Sequence, residues 1–246
     1  MRLLTLLAAC VCSSLVLAQS VPVPVPGLPE TVGTSASTVD APPKPAPGAV
    51  ERVAAPAENL GPITRPLVRA GDEWIYRRVS GSSSTLLRQR VTHIDFDGIS
   101  LSSELAGSPD TTTAVYSREW GLLGSGYNTY APALAYYSFP LYPGKRWRID
   151  SAVSNFGAGQ TGRIEGEGVA LGFEEVETAA GKFMTLKVLA TFETGDPGDA
   201  AYRVKVRETH WYAREILRTV RVESETQAGS DAPRRETIEL VKFKLE

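Results

Sequence analysis

Trp74-Ile75-Tyr76-Arg77-Arg78-Val79 is where the chain changes character, and its reading decides the fold. Trp74 and Tyr76 are two residues apart, so in an extended strand both rings leave one face, and a face carrying two large aromatics is the one to bury. The same period of two recurs downstream, in Leu86 to Ile94, Ile99 to Leu105, Thr112 to Trp120, Arg146 to Val153, Arg163 to Leu171 and Phe173 to Glu177. Phe183 to Glu193, Tyr202 to Tyr212, Leu217 to Glu225 and Thr237 to Leu245 follow it too. Val, Thr, Tyr, Trp and Phe fill these segments, and Gly, Pro, Asp and Ser separate them. No window shows a helical stripe of period 3.6. The pattern predicts about ten or eleven short strands and no helix.

The turns agree. Tyr142-Pro143-Gly144-Lys145 puts Pro and Gly where a type II turn needs them. Ala179-Ala180-Gly181-Lys182 offers a glycine between two strands, and Asp95-Phe96-Asp97-Gly98 and Gly195-Asp196-Pro197-Gly198-Asp199 are similar punctuation. Connections this short join antiparallel neighbours. The expected fold is all-β and mainly antiparallel: a single curved meander sheet over residues 64–246, forming an open or half β-barrel.

Upstream the composition is different. All 4 Trp, 9 Tyr and 7 Phe lie at or beyond Trp74, and residues 19–63 hold ten of the 17 prolines. Val21-Pro22-Val23-Pro24-Val25-Pro26 and Pro42-Pro43-Lys44-Pro45-Ala46-Pro47 favour polyproline II. A segment without aromatics cannot bury enough apolar surface to offset its ordering entropy, so a disordered linker is expected, or a Pro-rich ligand for a partner's aromatic groove. Residues 1–18 read as a signal peptide: Met1-Arg2, an apolar run, then Val16-Leu17-Ala18 before Gln19. Both cysteines, Cys10 and Cys12, lie inside it, so cleavage after Ala18 leaves a chain without thiols. A rival reading takes Leu7-Ala8-Ala9-Cys10 as a lipobox, with Cys10 acylated and providing the only membrane contact. The expected location is the periplasm or outside the cell, with the lipid anchor as the alternative.

Charge and side-chain inventory exclude several functions. With 26 Lys+Arg against 28 Asp+Glu, the chain is not a basic nucleic-acid binder. Two histidines and two cysteines give little material for a metal cage, so neither metal nor cofactor is expected. Gly157-Ala158-Gly159-Gln160-Thr161-Gly162 matches the dinucleotide fingerprint by letter. The residues after it alternate like a strand instead of opening a helix, so the cofactor site is rejected. His93 has Asp95 on its own face. His210 lies in another strand, and surface or hairpin-lining positions are expected for both, with no nucleophile to complete a triad. Glu165 with Glu167, and Glu175 with Glu177, are the carboxylate pairs a hydrolase would need, although such pairs also mark any wet strand face. Arg203, Lys205 and Arg207 share a face that Glu223 and Glu225 on the next strand can partly neutralise.

Gly121 to Phe139 breaks the strand rhythm yet holds Tyr127, Tyr130, Tyr136, Tyr137 and Phe139. An aromatic-rich loop either plugs the open end of a sheet or forms a contact surface. With Trp74 and Trp147, these five are the candidate binding residues. Trp147 stands between Arg146 and Arg148 in an in-out alternation, and Trp211 is expected to follow the same rule.

Gly71-Asp72-Glu73-Trp74-Ile75-Tyr76, Phe139-Pro140-Leu141-Tyr142-Pro143-Gly144-Lys145-Arg146-Trp147, Glu177-Thr178-Ala179-Ala180-Gly181-Lys182-Phe183, Trp211-Tyr212-Ala213 and Ile238-Glu239-Leu240-Val241-Lys242-Phe243 resemble motifs of an uncharacterised family of bacterial envelope proteins. That family has Pro where this chain has Ala179. It resembles in turn the LolA/LolB-type half-barrels that carry lipid or lipoprotein in the periplasm. The resemblance implies a Gram-negative source and a concave apolar sheet, and it brings no catalytic residues. The function expected is a non-enzymatic binding or carrier module for an apolar small molecule, a lipid or an envelope protein. A structural envelope-assembly factor is the alternative, and a carboxylate-based hydrolase stands behind both.

Overall fold

The structure, a computed structural model, describes residues 60–155, 157–195 and 203–246. The signal peptide, Cys10, nearly all of the Pro-rich linker, and the Asp196–Asp199 turn lie outside the described residues. Among the described residues twelve strands follow one another: β1 (Glu73–Ser80), β2 (Ser83–Ile94), β3 (Ile99–Leu105), β4 (Thr111–Tyr116), β5 (Leu122–Ser125), β6 (Asn128–Leu134), β7 (Arg146–Asn155), β8 (Gln160–Thr178), β9 (Gly181–Gly195), β10 (Val204–Ala213), β11 (Arg218–Ala228) and β12 (Arg234–Lys244). Each pairs antiparallel with the next, and β12 pairs with β1 from Glu73↔Lys244 to Ser80↔Glu236. The all-β antiparallel class therefore stands, and no described residue is helical.

The open or half-barrel is corrected. The sheet closes into a complete ring, which pairs every edge that an open sheet would leave bare. Gly121 to Phe139 also differs from expectation: it contains β5 and β6, two members of the ring, and only residues 135–145 form a connection. Arg163 to Leu171 and Phe173 to Glu177 fuse into the 19-residue β8, whose register slips between Ala170 and Gly172. A bulge of this kind bends a long strand without ending it. Gly157 to Gly162 forms the β7–β8 turn and the start of β8, which leaves no helix N-terminus for a pyrophosphate.

The turns form as their sequences dictate. Lys145 N–H donates to Tyr142 O at 3.1 Å, and Gly144 takes φ +86°, as position i+2 of a type II turn requires. At the β2–β3 turn the Asp95 carboxylate accepts the N–H groups of Asp97 (2.9 Å) and Gly98 (3.0 Å). Its pKa is lowered, first by the Gly98 bond.

Burial alternates along the strands, as in β9, where Val188, Ala190 and Phe192 are buried between part-exposed neighbours. Trp147 is half-buried between exposed Arg146 and Arg148. Its indole lies over Gly168, the residue opposite, where an added Cβ would come within 2.2 Å of Trp147 Cε2. Trp211 departs from the expected rule. His210, Trp211 and Tyr212 are all buried, because Lys187 and Arg221 cover the indole from the other face, 5.0 and 5.9 Å from its centroid. The Trp211 indole N–H donates to Glu174, and this bond is the leading reason the Glu174 carboxyl sits below its usual pKa.

Candidate functional site

One end of the ring carries the β4–β5 and β10–β11 turns, and a strap of residues 61–72 crosses it. Ile63 exchanges backbone hydrogen bonds with Leu141 at 2.7 and 2.8 Å, and Arg214 Nη2 donates to Gly61 O at 2.6 Å. Arg65 pairs with Glu119 at 2.6 Å, and Arg69 Nη1 donates to Glu246 O at 2.9 Å. Behind the strap lies a chamber of about 70 Å³. Tyr76, Gln89, Tyr116 and Tyr212 line it from the strands, and Tyr136, Tyr137 and Phe139 line it from the β6–β7 connection. Trp120 and Leu217, also in its wall, are the two non-glycine residues with positive φ among the described residues, at 62° and 60°. Strain of this kind costs on the order of 1–3 kcal/mol per residue and persists only where the surroundings enforce it.

Inside the chamber wall sits a cation. The Arg218 guanidinium lies 5.1 Å from the Trp74 ring and 5.0 Å from the Trp120 ring, measured from Cζ. Nη2 donates to Gln89 Oε1 at 2.7 Å. The Trp74 indole N–H is itself fixed by Ile216 O at 2.9 Å, which holds one ring of the pair in place. Arg218 makes no ion pair among the described residues. Burial raises the pKa of Tyr76 and Tyr212 nearby, so both phenols stay protonated in the physiological range.

A second polar group crosses the same interior. Glu208, with 0% exposure, accepts from Ser224 Oγ at 3.3 Å and meets His210 Nε2 at 3.2 Å. His210 Nδ1 meets the Tyr137 hydroxyl at 2.6 Å, which lies 2.8 Å from Thr219 Oγ1. With His210 neutral and protonated at Nε2, every bond in this string has one donor and one acceptor. Such a string satisfies the buried polar groups it joins. The expectation of a surface or hairpin-lining position is corrected for His210, which is 3% exposed. His93 is exposed, with Nε2 3.1 Å from Asp95 Oδ2.

The candidate binding residues separate. Tyr136, Tyr137 and Phe139 line the chamber, and Trp74 packs directly on Arg218. Tyr130 is not in the chamber wall but is buried with Ile149, Val153 and Phe192 in a cluster that Tyr136 also joins, and Tyr127 is 59% exposed at the β5–β6 turn. Trp147 donates to Ala135 O at 3.1 Å and so braces the connection that carries Tyr136 and Tyr137. Sequence reasoning passed over Arg218, Tyr116, Trp120, Gln89 and the Glu208–His210 pair. Glu208 and His210 did carry a signal, because they continue the inward positions of Val204 and Val206 in steps of two.

Of the carboxylate pairs, Glu165 and Glu167 border a pocket of about 480 Å³ on the barrel that Glu193, Lys205, Arg207 and Glu225 also line. Glu165 lies 3.1 Å from Arg163, Glu167 3.1 Å from Arg146 and Glu177 3.9 Å from Lys182, all on exposed side chains. In the basic ladder, Arg203 pairs with Glu193 at 3.4 Å and Glu225 with Arg235 at 2.9 Å.

No family model matches the sequence, and no curated protein matches it either. Among solved structures, a candidate lipoprotein of Parabacteroides distasonis is similar at 11% identity, over 75% of this chain and 100% of that one, with a TM-score of 0.49. A candidate exported protein with a YmcC-like fold from Bacteroides fragilis is similar at 16% identity, over 75% and 100% of the two chains, with a TM-score of 0.48. The hypothetical lipoprotein YmcC of Escherichia coli is similar at 12% identity, over 70% of this chain and 84% of that one, with a TM-score of 0.43.

Proposed function

We propose that this chain is an exported, non-enzymatic binding module of the cell envelope, and that the chamber behind the strap is its ligand site. One observation carries the reading: a guanidinium without an ion-pair partner among the described residues borders a chamber walled by aromatic rings. Concave, mostly apolar sites with a few aimed polar groups are where proteins hold small molecules. The chamber's size sets the scale of the ligand. At about 70 Å³ it falls well short of the ~300 Å³ at which pockets for drug-sized ligands begin, so a small molecule fits this reading better than a lipid. Export rests on the signal-peptide reading of residues 1–18, and the N-terminal mass of the mature protein separates free secretion from acylation at Cys10.

A second reading, an assembly factor working through protein contacts, is favoured by Phe96. It is 95% exposed at the tip of the β2–β3 turn, where an apolar ring has no role in the barrel's own core. Native mass spectrometry of the protein purified from its own envelope tests both. A bound small molecule lost on substitution of Tyr137 supports the chamber. A stoichiometric protein lost on Phe96→Ser supports assembly and displaces the first reading.

A further inference from the structure

Resting on the reading of the chamber as a ligand site, we infer that its occupant is a short-chain carboxylate received by Arg218 and Tyr116. Trp74 and Trp120 lie on the guanidinium at 5.1 and 5.0 Å, so further hydrogen bonds must leave along its edge. Part of that edge is used, with Nη2 donating to Gln89 Oε1 at 2.7 Å and the Tyr76 phenol also against the guanidinium. Nη1 is buried and makes no hydrogen bond among the described residues. The Tyr116 hydroxyl, in the wall of the same chamber, likewise has no hydrogen-bond partner among the described residues. Both unused groups are donors. The interior carboxylate, Glu208, is taken up by His210 and Ser224, and is not paired with Arg218. The unsatisfied remainder of the chamber is thus one positive charge and two kinds of N–H or O–H donor, which is the complement of an anion.

Charge and volume narrow the class. A single guanidinium neutralises one negative charge, which fits a carboxylate and falls short of a phosphate dianion. The rest of the wall is largely aromatic and aliphatic, with Leu87, Phe139, Val222 and Ile238 among it, and this favours a ligand with a short hydrocarbon body. The volume of about 70 Å³ holds on the order of five waters, room for a carboxylate with a few carbons and too little for a sugar acid or a long acyl chain.

The test titrates the full chain at constant ionic strength with acetate, propionate and butyrate. Acetamide, propionamide, inorganic phosphate and benzene serve as comparison probes. Binding is read from the indole N–H resonances of Trp74 and Trp120, and from the melting temperature. The carboxylates are expected to shift both indoles saturably, with the amides at least about tenfold weaker. Arg218→Met is expected to abolish carboxylate binding, and Tyr116→Phe to weaken it about fivefold. The second variant removes one hydroxyl, so it keeps the test readable if Arg218→Met does not fold. Amides binding as well as acids, phosphate binding better than acids, or a folded variant binding like wild type would each overturn the inference. If benzene moves the indoles and no acid does, the carboxylate is wrong and the chamber stands. If no probe moves them, both fall.

Discussion

In the half of the barrel toward the β5–β6 turn, Tyr130, Ile149, Val153, Ile164 and Phe192 meet in an apolar core. Toward the strap, Arg218, Gln89, His210 and Glu208 share the interior with a ring of tyrosines and tryptophans. Eight strands make a ring that side chains just fill, and twelve make a wider one. The first half fills the extra width with hydrocarbon, and the second keeps a chamber and polar groups inside. Side chains that only had to exclude water would serve equally well at both ends. The difference teaches that the two ends bury different things, ionisable groups and open space at the strap against mainly hydrocarbon at the other end.

The largest effect that sharpens this contrast is expected from His210→Ala, which leaves Glu208 buried without its imidazole. A loss of about 3–5 kcal/mol is expected in chemical denaturation, comparable to emptying the apolar half by Phe192→Ala but arising from charge instead of volume. A loss below about 1 kcal/mol would show that the string from Glu208 to Thr219 is not a structural strut.

Alkali probes the apolar half. Burial raises the Tyr130 pKa from 10.0 to about 12, so between those values the folded chain keeps a proton that the unfolded chain has released. Stability is whole below pH 10 and falls as the pH climbs toward 12, by about 2–3 kcal/mol for this group. Tyr130→Phe is expected to flatten the denaturation profile in that window.

Gly168→Ala comes next, at about 1–3 kcal/mol, because the new methyl meets the Trp147 indole at 2.2 Å. The smallest effect falls on the chamber's most unusual residue. Arg218→Met is expected to change stability by less than about 1 kcal/mol, since exchanging an interior charge for an apolar side chain of similar length is often close to neutral. A large loss would make Arg218 a structural pin and erase the distinction between the halves.

The sequence carried the fold far and the site less far. Trp74 and Tyr76, the Pro143-Gly144 turn and the alternation in β9 were legible because each rests on neighbours within a few residues. β5 and β6 were not, since Gly121, Gly124, Gly126 and Ala131-Pro132-Ala133 have low strand propensity and are held in the ring by pairing with β4 and β7. Ring closure depends on residues as far apart as Glu73 and Lys244, which no local pattern joins. Tyr136, Tyr137 and Phe139 were found by their density in one segment. Arg218 was invisible: beside Arg214 and Glu215 it reads as another turn charge, and its partners Gln89 and Trp120 come from distant turns and strands. The partners of the basic ladder were not legible: Arg203 took Glu193 and Glu225 took Arg235, instead of each other.

The pairing of β1 with β12 also has a consequence in time. As the polypeptide is made, β1 is laid against β2 alone, and the backbone groups along its other side wait for β12. Throughout that interval a growing, incomplete ring offers two hungry margins to any neighbouring molecule. The finished barrel is safe from such templating only once β12 has settled against β1.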